Sequence, residues 1–411
     1  MFGSYRRDDV TLLLKDITGR IEPLSTQARE RKIQSGTPYY EMLPIEYEPT
    51  PAYLHAYQDA LARYAGITAE AVGSVAQQIW AEKGDSAALV SLARAGTPVG
   101  ILIKRYLKTY YHADVTHASV SIIRGQGIDE NAMAWLLERH APEDLQFVDG
   151  WTGKGAIQGQ LQQAMQAYPG VSPGLAVLSD PACLAEKWGT REDFLIASSC
   201  LNSVVSGLLS RTVYRPDLIG PQDFHGAVFY DQWQDRDLTY QFIDRIEAHF
   251  RPPKQTPPPP GPQTDLTAAE EVAQICRVFG VRDRNLVKPS IGEATRVLLR
   301  RMPWKILVHS LDDEAHLGHL YQLAREKQVP LEVYPLVHYR ACGLIREMAD
   351  AGETKPSYLP ATWTTPCSSP TSTPRRGMCA WSIWTARPRA FFLPTSSGAW
   401  RRSTGPCALS R

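Results

Sequence analysis

Apolar runs alternate with helical periodicity along most of the chain. Residues 88–92, 117–123, 145–148, 175–178 and 194–197 are short apolar runs of strand length. Between them, residues 99–110, 129–139 and 154–168 place apolar positions at helical spacing. Pro98 favours a first helical turn and Asp129 is an expected N-cap. Five short apolar strands separated by helices predict an α/β fold, with a Rossmann-like, doubly wound parallel sheet. Residues 201–213 read as a buried helix and 238–250 as a closing one. Upstream, residues 1 to about 80 begin irregularly, then place Tyr53, Leu54, Tyr57, Leu61 and Tyr64 on one helix face. Thr68 is expected to cap a second helix reaching Trp80.

The proline-rich run RPPKQTPPPPGPQ divides the chain, because proline continues neither a helix nor a strand ladder. The organisation expected is residues 1–250 as one domain, 251–265 as a stiff linker and 266–353 as a second, small α/β/α domain. In the second, helices are predicted at 268–279, within 288–301, at 314–327 and at 339–349, with strands at 305–309 and 331–335. From Thr354 to Arg411 there is no Asp or Glu, while the stretch holds Cys367, Cys379, Cys407 and four of the ten tryptophans. A folded surface mixes both charge signs, so residues 354–411 read as translated out of frame, or as a disordered tail. Trp363 followed by Thr364 encodes an aspartate one base out of register, whatever the codon chosen.

Composition narrows the function. At 411 residues the chain has room for two or three domains, and a net charge of +1 gives no global pull towards nucleic acid or membranes. Seven cysteines without regular spacing form neither a disulfide framework nor a CxxC metal site. No run of about 18 apolar residues is present, and the charged start MFGSYRRDDV lacks a signal-peptide core. A cytoplasmic protein without membrane partners is expected.

The candidate chemistry centres on LQFVDGWTGKGAI, residues 145–157. An apolar strand ends on Asp149, then a glycine-rich turn runs into a helix and offers backbone N–H groups to an anion. Lys154 adds charge, and Asp149 is suited to sugar hydroxyls or Mg²⁺. The spacing is not a Walker A loop, which needs glycine where Val148 stands and Ser or Thr at Gly155. Two further strand ends meet the same sheet edge: Arg94, Ala95 and Gly96 in SLARAGTP, and Arg124 between Ile123 and Gly125 in SIIRGQGID. A glycine-flanked arginine suits a loop that closes over charged substrate. Together these residues point to a sugar bearing phosphate and diphosphate groups.

The run SLARAGTPVGILIKR…HASVSIIRGQGID…FVDGWTGKGAI…SSCLNSVVSGLLSRTV resembles the phosphoribosyltransferase-like proteins of bacterial tellurium-resistance and stress operons, a family also called cysteine protease StiP. The resemblance covers about residues 1–250. It implies a type I phosphoribosyltransferase-like fold using phosphoribosyl diphosphate and Mg²⁺. Asp149 would then face the ribose hydroxyls and metal, with Thr152, Gly153, Lys154 and Gly155 around the 5′-phosphate and Arg94 and Ala95 near pyrophosphate. The motif departs from the usual pair of acids, since Gly150 follows Asp149. The StiP name implies instead a Cys200 nucleophile served by His225 or His117.

Residues 266–350 resemble the Pelota-type RNA-binding domain through NLVKPSIGEATRVLLRR, KILVHS and VPLEVYP…YRACGLI. That implies RNA as a partner, contacted by Lys288, Ser290, Gly292, Glu293, Arg296, Arg300 and Arg301. Transferase, protease and non-catalytic nucleotide or RNA binder are the three readings carried forward.

Overall fold

A computed structural model describes residues 2–254 and 264–347. Its larger sheet has six strands: β1 (Thr11–Leu12), β2 (Ala88–Leu92), β3 (Thr116–Val120), β4 (Leu145–Trp151), β5 (Leu175–Ser179) and β6 (Lys187–Thr190). They run parallel in the order β1-β3-β2-β4-β5-β6. Every residue of β2 and β5 is buried. That explains why apolar residues dominate both, with only Ser91 and Ser179 polar, because a parallel sheet is covered on both faces. The helices of this part are α1 (Thr26–Gln34), α2 (Pro51–Lys83), α3 (Gly96–Tyr111), α4 (Glu130–Leu137), α5 (Ala156–Met165) and α6 (Thr239–Glu247).

The chain leaves β2 for β3 on one side and returns across β2 to β4 on the other. The order therefore reverses between β2 and β4, and ligands of open α/β sheets bind beyond the strand ends at such a point. The turn after β2 lies tight against β4: a Cβ on Gly96 would come 2.4 Å from the Val148 carbonyl. Only glycine fits there, which fixes the two strand ends side by side.

The second part comprises α7 (Ala268–Phe279), β7 (Val287–Pro289), α8 (Ile291–Arg300), β8 (Pro303–Val308), α9 (Glu314–Glu326), β9 (Leu331–Val333) and β10 (Ala341–Ile345). Its sheet order is β7-β10-β8-β9, with only β8 and β9 parallel. Helix α9 docks on α2, where Arg63 donates to the Ala315 carbonyl at 2.8 Å and the Tyr64 hydroxyl donates to the same oxygen. Leu298, Leu317 and Leu320 join one buried apolar cluster with Tyr57, Leu61 and Ile79.

Several expected elements differ. Residues 194–197 are not a strand; Phe194, Leu195 and Ile196 are apolar because they fill the core, and the sheet's edge is β6. Residues 201–213 form no long helix but a single 3₁₀ turn, Ser203–Val205, then two isolated bridges, Leu209 to Phe229 and Val213 to Gly226. Gly207 and Leu208 have φ of 71° and 53°, which a helix does not accommodate. Thr68 caps nothing: its hydroxyl donates to the Tyr64 carbonyl at 2.7 Å, and α2 runs unbroken for 33 residues. The expected helix at 339–349 is instead β10, a strand flanked on both sides and therefore wholly apolar. Residues 348–349, most of the proline run and the acid-free stretch from Thr354 lie outside the described residues.

Candidate functional site

The ends of β2 and β4 open into a cavity of about 680 Å³, lined by Arg94, Ala95, Arg124, Asp149 and the turn 151–155. That size falls within the range of small-molecule sites. Gly155 adopts φ 82° and caps α5, so the turn ends directly at a helix N-terminus. The N–H groups of Gly153, Lys154 and Gly155 make no hydrogen bond among the described residues. Thr152 behaves otherwise: its hydroxyl donates to Asp180 at 2.5 Å and its N–H to the Ser179 carbonyl at 3.0 Å. These two bonds shape the turn, in which Thr152 still lines the cavity.

Asp149 is half-buried, and its Oδ1 accepts from the Gly150 N–H at 2.7 Å. Burial pushes its carboxyl up to about 6, opposed by that N–H and by Arg296. Lys154 is pushed down to about 7, first by burial and then by the charges of Lys288 and Arg124. Its Nζ donates to the carbonyls of Arg284 and Val287, the latter at 2.8 Å. Arg94 is anchored by Glu46 at 3.1 Å and by the Leu209 carbonyl. Arg124 sits on a two-residue hairpin, Ile122–Ile123 against Gly127–Ile128, and donates to Asn285 Oδ1 at 2.8 Å.

The second domain thus forms one wall of the cavity. Five of the seven residues singled out for RNA contact, Lys288, Glu293, Arg296, Arg300 and Arg301, line the cavity rather than an open face. Arg296 stacks over Trp151 with 4.3 Å to the ring centroid and pairs with Glu293 at 3.5 Å. A Cβ on Gly292 would meet the Trp151 ring at 2.5 Å. Ser290 (φ 91°) caps α8 by accepting from the Glu293 N–H at 3.3 Å. Arg300 donates to Asn202 Oδ1 at 2.6 Å, and Lys288 lines the cavity. Arg301 pairs with buried Glu30 at 2.7 Å. Asp193 clasps the domains together, accepting from the N–H groups of Ile291 at 3.1 Å and Arg340 at 2.9 Å. Arg29, Glu30, Arg211 and Asp193 were not foreseen. Arg29, Glu30 and Asp193 lie in stretches with no motif, Arg211 was not singled out within SSCLNSVVSGLLSRTV, and only the fold brings them to the cavity or the seam between domains.

The thiol and imidazole candidates are not brought together. Cys200 is fully buried, and burial pushes its thiol up to about 12. Its surroundings are phenolic: the Tyr53 hydroxyl donates to its carbonyl at 2.9 Å. His117 is held between Ser91 Oγ at 2.7 Å and the Asp9 carbonyl at 2.8 Å, and burial pushes it down to about 4. His225 is bonded to Ser121 Oγ at 2.9 Å and packs against Tyr214. Among the described residues no group of three or more His, Cys, Asp or Glu could hold a metal. Mg²⁺, however, is commonly held by one or two carboxylates plus substrate phosphates, and Asp149 with Glu293 beside the turn fits that donor set. No described helix is long and apolar enough to cross a membrane.

Fold and cavity together define a parallel α/β protein whose cationic site is walled by a second domain. Residues 3–247 match the family described as tellurite-like stress resistance cysteine protease StiP, and residues 266–347 match the PELOTA RNA binding domain. The chain belongs to the StiP family. It is 34% identical over 373 residues to the cysteine protease StiP of Acinetobacter baylyi (strain ATCC 33305 / BD413 / ADP1), covering 84% of this chain and 94% of that protein. Two crystal structures of a hypoxanthine-guanine phosphoribosyltransferase from Bacillus anthracis str. 'Ames Ancestor', one with HEPES in its active site, match at 16% identity. They cover 30% of this chain and 76% of theirs with a TM-score of 0.24, a likeness too slight to bear on the site.

Proposed function

We propose that the cavity binds a phosphorylated ribose and that the chain transfers its phosphoribosyl group from phosphoribosyl diphosphate to a nitrogen nucleophile. The observation that carries this reading is the turn 152–155, where the open N–H groups of Gly153, Lys154 and Gly155 meet the N-terminus of α5 beside the Lys154 side chain. On this reading the turn holds the 5′-phosphate and Asp149 the ribose hydroxyls. The Ala95–Gly96 turn takes the pyrophosphate. Mg²⁺, held by Asp149 and Glu293, would supply charge neutralisation of the departing pyrophosphate. The nucleophile's nitrogen bonds to C1 as the C1–O bond breaks, and the carboxylate of Asp149 offsets the positive charge developing on the ring. Arg124 and Arg296 keep the diphosphate in place and water out. The test is a thermal-shift titration: phosphoribosyl diphosphate with Mg²⁺ should raise the melting temperature, and Lys154→Met should abolish the shift. An unshifted wild type refutes the reading.

A second reading, cysteine proteolysis, is supported by the family's description and by the name of the A. baylyi relative. It takes Cys200 as nucleophile and requires a rearrangement that exposes this thiol and brings a base such as His225 to it. An active-site-directed thiol probe that labels Cys200 in the native chain, with loss of peptidase activity, would favour it. RNA is the partner proposed for the second domain, by the description of the model it matches. Contact through Lys288, Ser290, Gly292, Glu293, Arg296 and Arg300 would draw on the same wall as the cavity.

A further inference from the structure

The cavity holds more positive charge than its carboxylates offset. Arg94 is paired with Glu46, Arg296 with Glu293 and Arg301 with Glu30. Arg29, Arg211 and Arg300 line the same space and have no carboxylate in an ion pair among the described residues. Arg29 is 3% exposed; one of its terminal nitrogens donates to the Arg300 carbonyl, while its Nε has no hydrogen-bond partner among the described residues. The Nε of Arg296 likewise has no partner among the described residues. Arg211 lies over the Tyr39 ring, 4.2 Å from its centroid, which orients the guanidinium without neutralising it. The arginines repel one another: burial, then Arg211 and Arg301, bring Arg29 down to about 10 despite the opposing pull of Glu30 and Glu46, and burial, Arg94 and Arg301 act similarly on Arg211. Glu30 and Glu46 are already paired with Arg301 and Arg94, and an under-compensated buried charge is costly, so such a cluster is poised for an anion. Guanidinium forks bind phosphate oxygens in pairs.

We propose that Arg29, Arg211 and Arg300 form a second anion site, separate from the turn 152–155, which takes the phosphate of a phosphorylated second substrate. Its walls come from both domains, since Arg29 lies on α1, Arg211 in the larger domain and Arg300 on α8. The second domain is on this account part of the substrate site. Calling the site second rests on the sugar-phosphate reading of the first turn; the arginine cluster itself does not. The shared chemistry is a phosphate monoester, whether on a free nucleotide or on an RNA 5′ end.

The test is calorimetry on the full chain, without metal so that no turnover occurs. The protein is saturated with phosphoribosyl diphosphate and titrated with a nucleoside 5′-monophosphate, or with a 5′-phosphorylated tetraribonucleotide. The monophosphate should bind, the unphosphorylated nucleoside should not, and Arg29→Gln with Arg211→Gln should weaken binding at least tenfold. The same pair should leave phosphoribosyl diphosphate affinity within about threefold. Arg300→Gln, whose parent side chain is only half-buried, gives the same answer if the double variant does not fold. Tighter binding of the tetranucleotide than of the monophosphate assigns the site to an RNA end. If phosphoribosyl diphosphate fails to bind even in a control with Mg²⁺, the proposed function falls, while arginine-dependent binding of the monophosphate added alone still upholds the cluster. Monophosphate affinity unchanged in the arginine variants, or no binding by the wild type, overturns the inference.

Discussion

Gly292→Ala separates helix propensity from docking. In an exposed helix the change stabilises by about 1 kcal/mol. Here the new Cβ would lie 2.5 Å from Trp151 Cε2 and 2.6 Å from Cζ2, against an optimal carbon separation of about 3.5–4.0 Å. The indole has little room to yield, because Arg296, one turn further along α8, rests on the same ring. Relief of roughly 1 Å therefore has to come from moving α8 off β4. Overpacking of this kind costs about 1–3 kcal/mol, and taking the upper end leaves a net loss of about 2 kcal/mol. At about 2–4 °C per kcal/mol for a large domain, scanning calorimetry should show a melting temperature lower by roughly 4–8 °C. Amides of residues 151–155 should exchange faster in the same variant. A raised melting temperature would mean that propensity governs and that α8 does not rest on Trp151.

Four further outcomes are expected. Lys154 is cationic below its value of about 7 and loses charge above it, so ribose 5-phosphate affinity should fall between pH 7 and 9, where the phosphate is already dianionic. A Lys154→Met variant should show no such trend. Glu30→Gln strips Arg301 of a buried partner and should cost roughly 3 kcal/mol in urea unfolding. Burial works to raise the Glu30 carboxyl, but Arg301 holds it below its usual range, so this contribution is present above the ordinary Glu value and lost as pH falls through the lowered one; the gap to wild type should close in acid. Iodoacetamide should modify exposed Cys183 well before buried Cys200, read by peptide mass; the reverse order would favour the protease reading. Arg296→Gln with Arg300→Gln in the full chain should weaken structured RNA and flatten its salt dependence, and unchanged affinity would leave the second domain a purely structural wall.

How much of this was legible beforehand depended on local pattern. The four central parallel strands announced themselves as apolar runs, and the turn after Asp149 by its glycines, because both signals are local; the edge strands β1 and β6 are too short and polar to do so. Buried irregular chain misled: Phe194–Ile196 and the stretch after Leu201 are as apolar as a strand or helix, yet pack as turns and coil. Strand β10 resembled a helix because a central strand lacks alternation. The residues of α8 were legible as a group, but not the direction they face. Arg29 and Arg211 carried no signal of this role, since arginines far apart in sequence become a cluster only when α1 and the second domain close on one cavity.

The central claim meets its most direct test in calorimetry with phosphoribosyl diphosphate and Mg²⁺. Wild type should bind, and Cys200→Ala should bind equally. Asp149→Asn, which removes an ionised hydrogen-bonding partner worth roughly 1.5–3 kcal/mol, should bind about 10- to 100-fold more weakly. Equal binding by Asp149→Asn and wild type, or no binding by either alongside a peptidase activity lost in Cys200→Ala, would contradict it.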